Sequence, residues 1–174
     1  MERFLSEENL NMHREYLRDK RLKYSILESS IPELSGASTK DVLSMKLDRR
    51  DRADALRLIS EIELHDIYFT SFGDTRFPRS KCVADFYGSE TAFLNEVFRR
   101  AMSLKYGFIT VYRRGRNILL DECSDYENAF RRSRPMLAVD ICEHAYLKDY
   151  GFDRERYLLN SLPYLDITKL NSVG

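Results

Sequence analysis

The sequence predicts an α+β protein in which an N-terminal helical hairpin precedes a mixed α/β domain. In the N-terminal half, apolar residues recur every three or four positions over two long stretches, which is the period of an amphipathic helix. In the C-terminal half the pattern changes to alternation and short apolar runs, which are typical of β-strands. We therefore predict a helical domain over residues 1–73, a link over residues 74–88 and a mixed domain over residues 89–174.

The first predicted helix begins after Ser6, whose hydroxyl can cap it, and two glutamates in its first turn favour the positive end of the helix dipole. Its apolar face carries Leu10, His13, Leu17, Tyr24 and Leu27. Pro32 ends the helix, because the residue before a proline avoids the α conformation. A short helix over about residues 39–46, capped by Ser38, is expected to follow.

The second long helix is predicted to begin near Asp48, and Gly73 is suited to end it. Its apolar face carries Ala55, Leu58, Ile62, His65, Phe69 and Phe72. Two long helices joined by a connector pack as an antiparallel hairpin. His13 and His65 are both expected on the buried faces of this hairpin.

The mixed domain begins with a third helix, which Ser89 is expected to cap. Over residues 107–112 the helical period gives way to a strand-like pattern, Gly115 lies in a turn, and residues 118–120 are apolar again. This order predicts a β-hairpin.

The remaining residues predict one more strand and two more helices. Residues 136–140 form a short apolar run that ends in an aspartate, which indicates a buried strand. A helix is expected to run through His144 to Tyr150. Asp153 is expected to cap a final helix that ends near Pro163.

Composition excludes several classes of function. The chain has 28 basic and 28 acidic residues, and its arginine clusters lie beside acids, so we expect no nucleic-acid binding. No run approaches the roughly 20 apolar residues that cross a bilayer. The N-terminal residues lack the pattern of a secretory signal, so we expect a cytoplasmic protein. The three cysteines are widely spaced, which predicts neither a disulfide framework nor a Cys-x-x-Cys metal site.

The positions of the three histidines indicate what chemistry the protein can perform. Of the three histidines, His13 and His65 fall on apolar helix faces, and His144 follows a buried strand that ends in Asp140. A single buried histidine is usually a hydrogen-bonded core residue, and Asp140 alone can orient His144 or cap a helix. A second interpretation is one site of three imidazoles and a carboxylate. Such nitrogen and oxygen ligands suit iron, manganese or zinc.

One segment resembles a known family. The run from Pro135 to Tyr146, with Asp140, Glu143 and His144 inside it, resembles the Asp-x-Trp-Glu-His-Ala-Tyr signature of iron/manganese superoxide dismutases. The resemblance continues into later residues, namely Arg154, Arg156 and Tyr157. His13 and His65 lie where that family has its two helical ligands, His65 with the following aromatic pair Tyr68-Phe69. Gly107-Phe108-Ile109 is similar to the family's Gly-Trp-x-Trp strand.

The resemblance implies a site, a fold and an activity. The ligands of one iron or manganese ion per chain would be His13, His65, Asp140 and His144. The implied fold is a helical hairpin followed by a domain with a three-stranded antiparallel sheet, with the metal between the two. The implied reaction converts superoxide to oxygen and hydrogen peroxide. The counterpart of Glu143 contacts the ligand histidine of the partner subunit, which implies a homodimer and a functional role for Glu143.

The residues around the implied ligands depart from the family pattern. Leu17 stands where the family has a histidine, and Leu147 stands where it has a tyrosine that meets this histidine across the dimer interface. Replacing both polar partners by apolar groups can be nearly neutral, so we expect a retained interface. Cys142 replaces the signature tryptophan, and the chain contains no tryptophan.

Two roles stay open at the level of sequence. Arg21 replaces a gateway tyrosine; its cation can attract the superoxide anion, although guanidinium is a poor proton donor and Arg21 can also be a solvated surface residue. Glu61, Asn117 and Asp125 are alternative candidates for the residue that holds the metal-bound water. Because these outer positions changed, a non-dismutase metal-binding homodimer on the same fold is the alternative function.

Overall fold

Two long helices form the N-terminal hairpin in the computed structural model, which describes residues 1–131 and 133–172. The chain passes through α1 (Glu7–Ser30), the short α2 (Thr39–Ser44) and α3 (Arg49–Thr70). A 3-10 turn at Pro32–Leu34 ends the first helix at the predicted proline. The predicted helical hairpin is therefore confirmed.

The predicted N-terminal caps at Ser6 and Ser38 are confirmed, and Asp48 also caps its helix. The Ser6 hydroxyl accepts a hydrogen bond from the backbone N–H of Asn9, and Ser38 forms a reciprocal capping box with Asp41. The Asp48 carboxylate accepts the first free N–H groups of α3. Each cap satisfies donors that have no partner inside the helix. The C-terminal ends were predicted less well, since α2 ends at Ser44 and α3 ends three residues before Gly73.

The C-terminal half combines four helices with a small sheet. Its elements are α4 (Lys81–Tyr87), α5 (Glu90–Ser103), β1 (Phe108–Arg114), β2 (Asn117–Cys123), β3 (Leu137–Asp140), α6 (Leu147–Tyr150) and α7 (Arg154–Ser161). The strand order is β2-β1-β3, and both neighbouring pairs are antiparallel. This confirms the α+β class and the three-stranded antiparallel sheet.

Helix α4 lies inside the segment that the sequence assigned to a link, and it was not predicted. It has seven residues, and Val83 is its one fully buried side chain. A helix this short shows too few turns for an apolar period to be recognised. Of the described helices, none is both long and apolar enough to cross a membrane.

The hairpin and the sheet share one apolar core. Leu10 of α1 and Leu64 and Tyr68 of α3 belong to the same buried cluster as Phe108 of β1 and Val139 of β3. These side chains are at most 2% exposed. Burying the inner faces of both long helices against the sheet brings the ends of β1 and β3 close to His13 and His65.

A buried hydrogen bond also joins α3 to the sheet. The hydroxyl of Ser71, just after α3, accepts the backbone N–H of Ala138 in β3 at 2.8 Å and donates to the carbonyl of Ile67. Buried backbone groups are almost always paired, and here the partner comes from the hairpin. The position of β3, and with it Asp140, therefore depends on the end of α3.

Candidate metal centre

The two helices of the hairpin each direct one histidine into the core. His13 follows Leu10 by three residues on the buried face of α1, and His65 follows Ile62 by three residues on α3. Both histidine side chains are fully buried. The apolar spacing that predicted their burial is thus confirmed, and α1 and α3 hold the two rings next to each other.

The end of β3 supplies the carboxylate. All four residues of β3 are buried, and Asp140 is its last residue. Its Oδ1 atom accepts a hydrogen bond from the backbone N–H of Cys142 at 2.9 Å. That bond holds one carboxylate oxygen in the chain turn and leaves Oδ2 directed at the histidines.

A 3-10 turn supplies the third histidine. His144 lies in the turn Glu143–Ala145, and α6 begins only at Leu147. The prediction of one continuous helix through His144 to Tyr150 was therefore wrong. Tyr146 separates the two pieces with a backbone φ of −146°, a conformation outside the α-helical range. The sequence pattern did not distinguish two short turns from one helix.

The four side chains converge on one point. Oδ2 of Asp140 lies 2.9 Å from Nε2 of His144, 3.3 Å from Nε2 of His13 and 3.5 Å from Nε2 of His65. The Nε2 atoms of His65 and His144 are 3.1 Å apart, and the four ligand atoms all lie within 4.8 Å of one another. Atoms bound about 2.1 Å from a shared ion, at angles of about 90° to 120°, lie about 3 to 3.6 Å apart.

Two of the four ligand atoms are not satisfied by the others. Both ring nitrogens of His13 and Oδ2 of Asp140 are buried without a hydrogen-bond partner among the described residues, although the ion-pair distances are short. Leaving a buried polar atom unpaired costs about 1–3 kcal/mol. A metal ion would pair Nε2 of His13 and Oδ2 of Asp140 at once, so the residues fit such an ion. Their nitrogen and oxygen donors suit iron, manganese or zinc.

Electrostatics favours the metal-binding protonation states of Asp140, His13 and His65 but not that of His144. Burial by itself raises the pKa of Asp140, but the surrounding imidazoles, His144 foremost, hold it well below its usual range. Burial lowers the pKa of His13 and lowers that of His65 to about 4. Burial also lowers the pKa of His144, but the Asp140 carboxylate outweighs it and the net pKa is raised. An ionised carboxylate and neutral imidazoles are the forms that bind metal.

A backbone contact sets the tautomer of His65. Its Nδ1 atom lies 2.7 Å from the carbonyl oxygen of Glu61, one turn earlier on α3. A carbonyl can only accept, so Nδ1 carries the proton and donates it. Nε2 of His65 then has its lone pair free to face the cluster, which is the usual arrangement of a metal-binding histidine.

Three residues form a second layer beside the cluster. The hydroxyl of Tyr16 donates to Oε1 of Glu61 at 2.5 Å, and Nζ of Lys20 lies 2.9 Å from Oε2 of the same carboxylate. The ring of Tyr16 stacks on His144, with centroids 4.1 Å apart and planes 18° apart. Tyr16 and Lys20 were not predicted from the sequence as residues of the site. Their spacing of three and seven residues from His13, on the same side of α1, was the available signal.

The structure distinguishes the three candidates for the residue that holds the metal-bound water by their contacts with the cluster. Glu61 is 2% exposed and contacts the site through Tyr16 and through its own carbonyl. Asn117 is an exposed residue at the start of β2, opposite Arg114. Asp125 lies in the loop after β2 and accepts a hydrogen bond from Asn128. Of the three, Glu61 is the residue that contacts a member of the cluster.

Arg21 lies on the surface of the hairpin. Its guanidinium is 2.5 Å from Oδ1 of Asp66, and its side chain is 52% exposed. It lines a cleft of about 820 Å³ whose other basic residues are Arg3, Arg14 and Arg18. Among the described residues that line this cleft, none belongs to the histidine–aspartate cluster.

Glu143, Leu17 and Leu147 differ in exposure. Glu143 is exposed, and its side chain makes no hydrogen bond or ion pair within the described part of the chain. Leu147 is 37% exposed, whereas Leu17 is 7% exposed. His144 is 21% exposed, and it is the one cluster residue whose side chain reaches the surface. The exposed Glu143 thus lies next in sequence to the exposed ligand candidate.

Cys142, at the position of the signature tryptophan, is a buried thiol. Its sulfur accepts a hydrogen bond from the backbone N–H of Gly107 at 3.2 Å. Burial, followed by the charge of Asp140, raises its pKa above the usual thiol range, so the thiol stays protonated. Cys82, Cys123 and Cys142 are all free thiols.

The fold and the cluster together define a class, namely an α+β protein with a candidate mononuclear metal centre between a helical hairpin and a small antiparallel sheet. Residues 79–172 match the C-terminal domain of the iron/manganese superoxide dismutases. The match covers more than half of the 174 residues and includes Asp140 and His144. This chain therefore belongs to the iron/manganese superoxide dismutase family. A search among curated proteins gave no significant match.

Proposed function

We propose that this protein is a cytoplasmic superoxide dismutase that holds one iron or manganese ion per chain. The ligands in this proposal are His13, His65, Asp140 and His144. The observation that carries it is the convergence of their four ligand atoms within 4.8 Å of one another, with buried atoms of His13 and Asp140 left unpaired. Membership of the family supports iron or manganese over zinc.

The reaction takes two superoxide anions and two protons to one oxygen and one hydrogen peroxide. A bound iron or manganese ion supplies a one-electron store for this exchange. The buried Asp140 carboxylate contributes one negative charge, and the imidazoles contribute none in their neutral forms. A divalent ion in this ligand set keeps a net charge near plus one, which favours the approach of a small anion.

Glu61 and Tyr16 are the outer residues in this proposal. Burial, and then the Glu61 carboxylate, raise the pKa of the Tyr16 hydroxyl far above its usual range. The hydroxyl therefore keeps its proton, which it donates to Oε1 of Glu61. Outer groups of this kind set the properties of a metal centre, and here the Glu61 carboxylate is also paired with the Lys20 ammonium.

Arg21 is proposed to attract superoxide from the surface. Its support is the basic cleft that it lines together with Arg3, Arg14 and Arg18. Asp66 partly neutralises its charge, so we expect the four arginines to act as a group. Long-range attraction of this kind raises association rates and weakens with salt.

We also propose a homodimer in which Glu143 contacts the partner subunit's His144. The free carboxylate of Glu143 and the exposed edge of His144 support this contact. Leu17 and Leu147 are proposed to meet across the same interface. Each contact would then occur twice, because the two-fold axis relates identical surfaces.

The proposal is tested by elemental analysis and superoxide consumption on the same purified sample. About one iron or manganese per chain is expected, with activity above that of the free metal. Asp140→Ala is expected to abolish both metal binding and superoxide consumption. Asp85→Ala, which changes an exposed aspartate that makes no ion pair with the described residues, is the matched control and should retain both.

The second candidate is a metal-binding homodimer without dismutase activity. It is favoured by the pairing of Arg21 with Asp66 and by the carboxylate of Glu61 in the outer position. Metal bound at one per chain without superoxide consumption would select it. Rapid metal-dependent superoxide consumption would exclude it, and a wild-type protein that binds no metal would exclude both candidates.

A further inference from the structure

Lys20 and Glu61 form a nearly buried ion pair between α1 and α3. Glu61 is 2% exposed and the Lys20 side chain is 15% exposed. Within the described residues, Lys20 is the one cation at ion-pair distance from Glu61. Lys23, one turn from Lys20 on α1, is 57% exposed and pairs with Asp19 in solvent. The two lysines therefore differ in environment although they lie on the same helix.

The ion pair also holds a tyrosine. Tyr16 precedes Lys20 by four residues, so both side chains lie on one side of α1. The Tyr16 hydroxyl donates to one oxygen of Glu61 while Lys20 takes the other. The Lys20 ammonium lies 4.8 Å from the centroid of the Tyr16 ring, within the range of a cation–π contact. Tyr16 is thus held at its hydroxyl and at its ring.

The ring of Tyr16 packs against the one partly exposed side chain of the candidate metal centre. It stacks on His144 with centroids 4.1 Å apart. His144 is 21% exposed, whereas the side chains of His13, His65 and Asp140 are fully buried. Any exchange between the centre and solvent that begins with movement of His144 must displace Tyr16.

We infer that Lys20 is a positioning residue which, through Glu61, holds Tyr16 over His144 and thereby slows the loss of the metal. The inference rests on the proposed metal centre. It assigns to Lys20 a role in retaining the ion rather than in the reaction. Partners outside the ligand shell commonly change metal affinity by about 10- to 100-fold when they are removed.

The experiment compares Lys20→Met, Tyr16→Phe and the control Lys23→Met. Lys23→Met removes the same charge from the same helix but breaks an exposed pair. Two quantities are measured: the rate at which manganese-loaded protein loses metal to excess EDTA, and the ring-proton shifts of His144 in the metal-free protein. The chain has only three histidines, so the ring signals can be assigned, and stacking on Tyr16 shifts them.

Lys20→Met and Tyr16→Phe are expected to speed metal loss by about 10- to 100-fold and to move the His144 signals. Lys23→Met should change neither quantity. Because Lys20 acts through Tyr16, the double variant should lose metal no faster than the faster single variant. Lys20→Arg, which keeps the cation, should restore most of the retention.

Two results would overturn the inference. The first is a Lys20→Met protein with the His144 signals and the rate of metal loss of the Lys23→Met control. The second is a double variant whose rate of metal loss rises by the product of the two factors measured for the single variants. If Lys20→Met does not fold, Lys20→Gln, which removes the charge but keeps a polar side chain, takes its place in the same comparison. A wild-type protein that binds no manganese or iron would refute the proposed function, whereas the His144 shifts would still test the positioning by Lys20.

Discussion

Oδ2 of Asp140 lies 2.9 Å from Nε2 of His144, yet the carboxylate oxygen makes no hydrogen bond within the described chain. The two groups are close enough for a strong charge-assisted bond, but they do not form a hydrogen bond. A folded protein rarely leaves such atoms unpaired in its core. The arrangement is what a set of metal ligands requires, because each lone pair must face a shared point rather than a neighbour.

Metal binding is expected to stabilise the folded protein. A ligand present at 100 times its dissociation constant adds about 2.7 kcal/mol to the free energy of unfolding. For a chain of this length that corresponds to a rise in Tm of about 5 to 10 °C. Calorimetry of the protein with and without manganese measures the shift. Asp140→Ala should show no manganese-dependent shift, and an equal shift in this variant would place the bound metal elsewhere.

Gly107 is expected to be intolerant of a side chain. Its φ is +111°, and an added Cβ would lie 2.1 Å from the carbonyl oxygen of Cys123. Gly107→Ala should lower the free energy of unfolding by about 3 kcal/mol or more, since both strain and a backbone clash act at this position. Urea denaturation measures the loss.

The control for Gly107 is Gly115, in the turn between β1 and β2. It also has a positive φ, +60°, but open space around its Cβ position. Gly115→Ala should cost only about 1–2 kcal/mol, which is the strain of the left-handed conformation alone. Equal losses for both variants would contradict the close approach of Gly107 to Cys123.

Ser71 is expected to matter because it joins α3 to β3. Ser71→Ala removes the acceptor for the buried N–H of Ala138 and should cost about 1–3 kcal/mol. Ser29→Ala is the matched control, since its hydroxyl bonds to the carbonyl of Ser25 on an exposed helix surface. That change should stay within about 0.5 kcal/mol. If denaturation curves gave the same free energy of unfolding for both variants, the role of Ser71 would be refuted.

The proposed dimer predicts a strong effect of Glu143. Glu143→Ala should remove two symmetric contacts with the partner subunit's His144, each worth about 1.5–3 kcal/mol for a charged hydrogen bond. The dissociation constant of the dimer should then rise by at least about 100-fold. Sedimentation velocity over a range of protein concentrations measures the change. Glu155→Ala, another exposed glutamate, serves as control, and an unaltered dimer in Glu143→Ala would refute this contact.

Local patterns in the sequence predicted most of the regular structure. The caps at Ser6, Ser38 and Ser89 are confirmed, because capping depends only on residues within one turn. The β-hairpin is confirmed, because alternation and a glycine turn are also local signals. Short elements were missed or misjudged. Helix α4 was assigned to a link, and the turn around His144 was merged with α6, since neither is long enough to show a period.

The four candidate ligands were also predicted from the sequence, but their common site was implied by the family resemblance and not by the apolar spacing. Apolar spacing placed His13 and His65 on buried faces, and the run that ends in Asp140 placed it beside His144. Sequence separation says nothing about the distance between α1, α3 and β3. That distance follows from packing the hairpin against the sheet, where contacts join residues more than 50 positions apart.

What the sequence by itself determined was the class of fold, the caps and the types of ligand, because each depends on the order of neighbouring residues. Only the tertiary structure decided which outer residues accompany the ligands. It paired Lys20 with Glu61 beside the site and Arg21 with Asp66 at the surface, although Lys20 and Arg21 are adjacent in the chain. The physical reason is that a helix turns by about 100° per residue, so neighbours on α1 face different partners once α3 is packed against it.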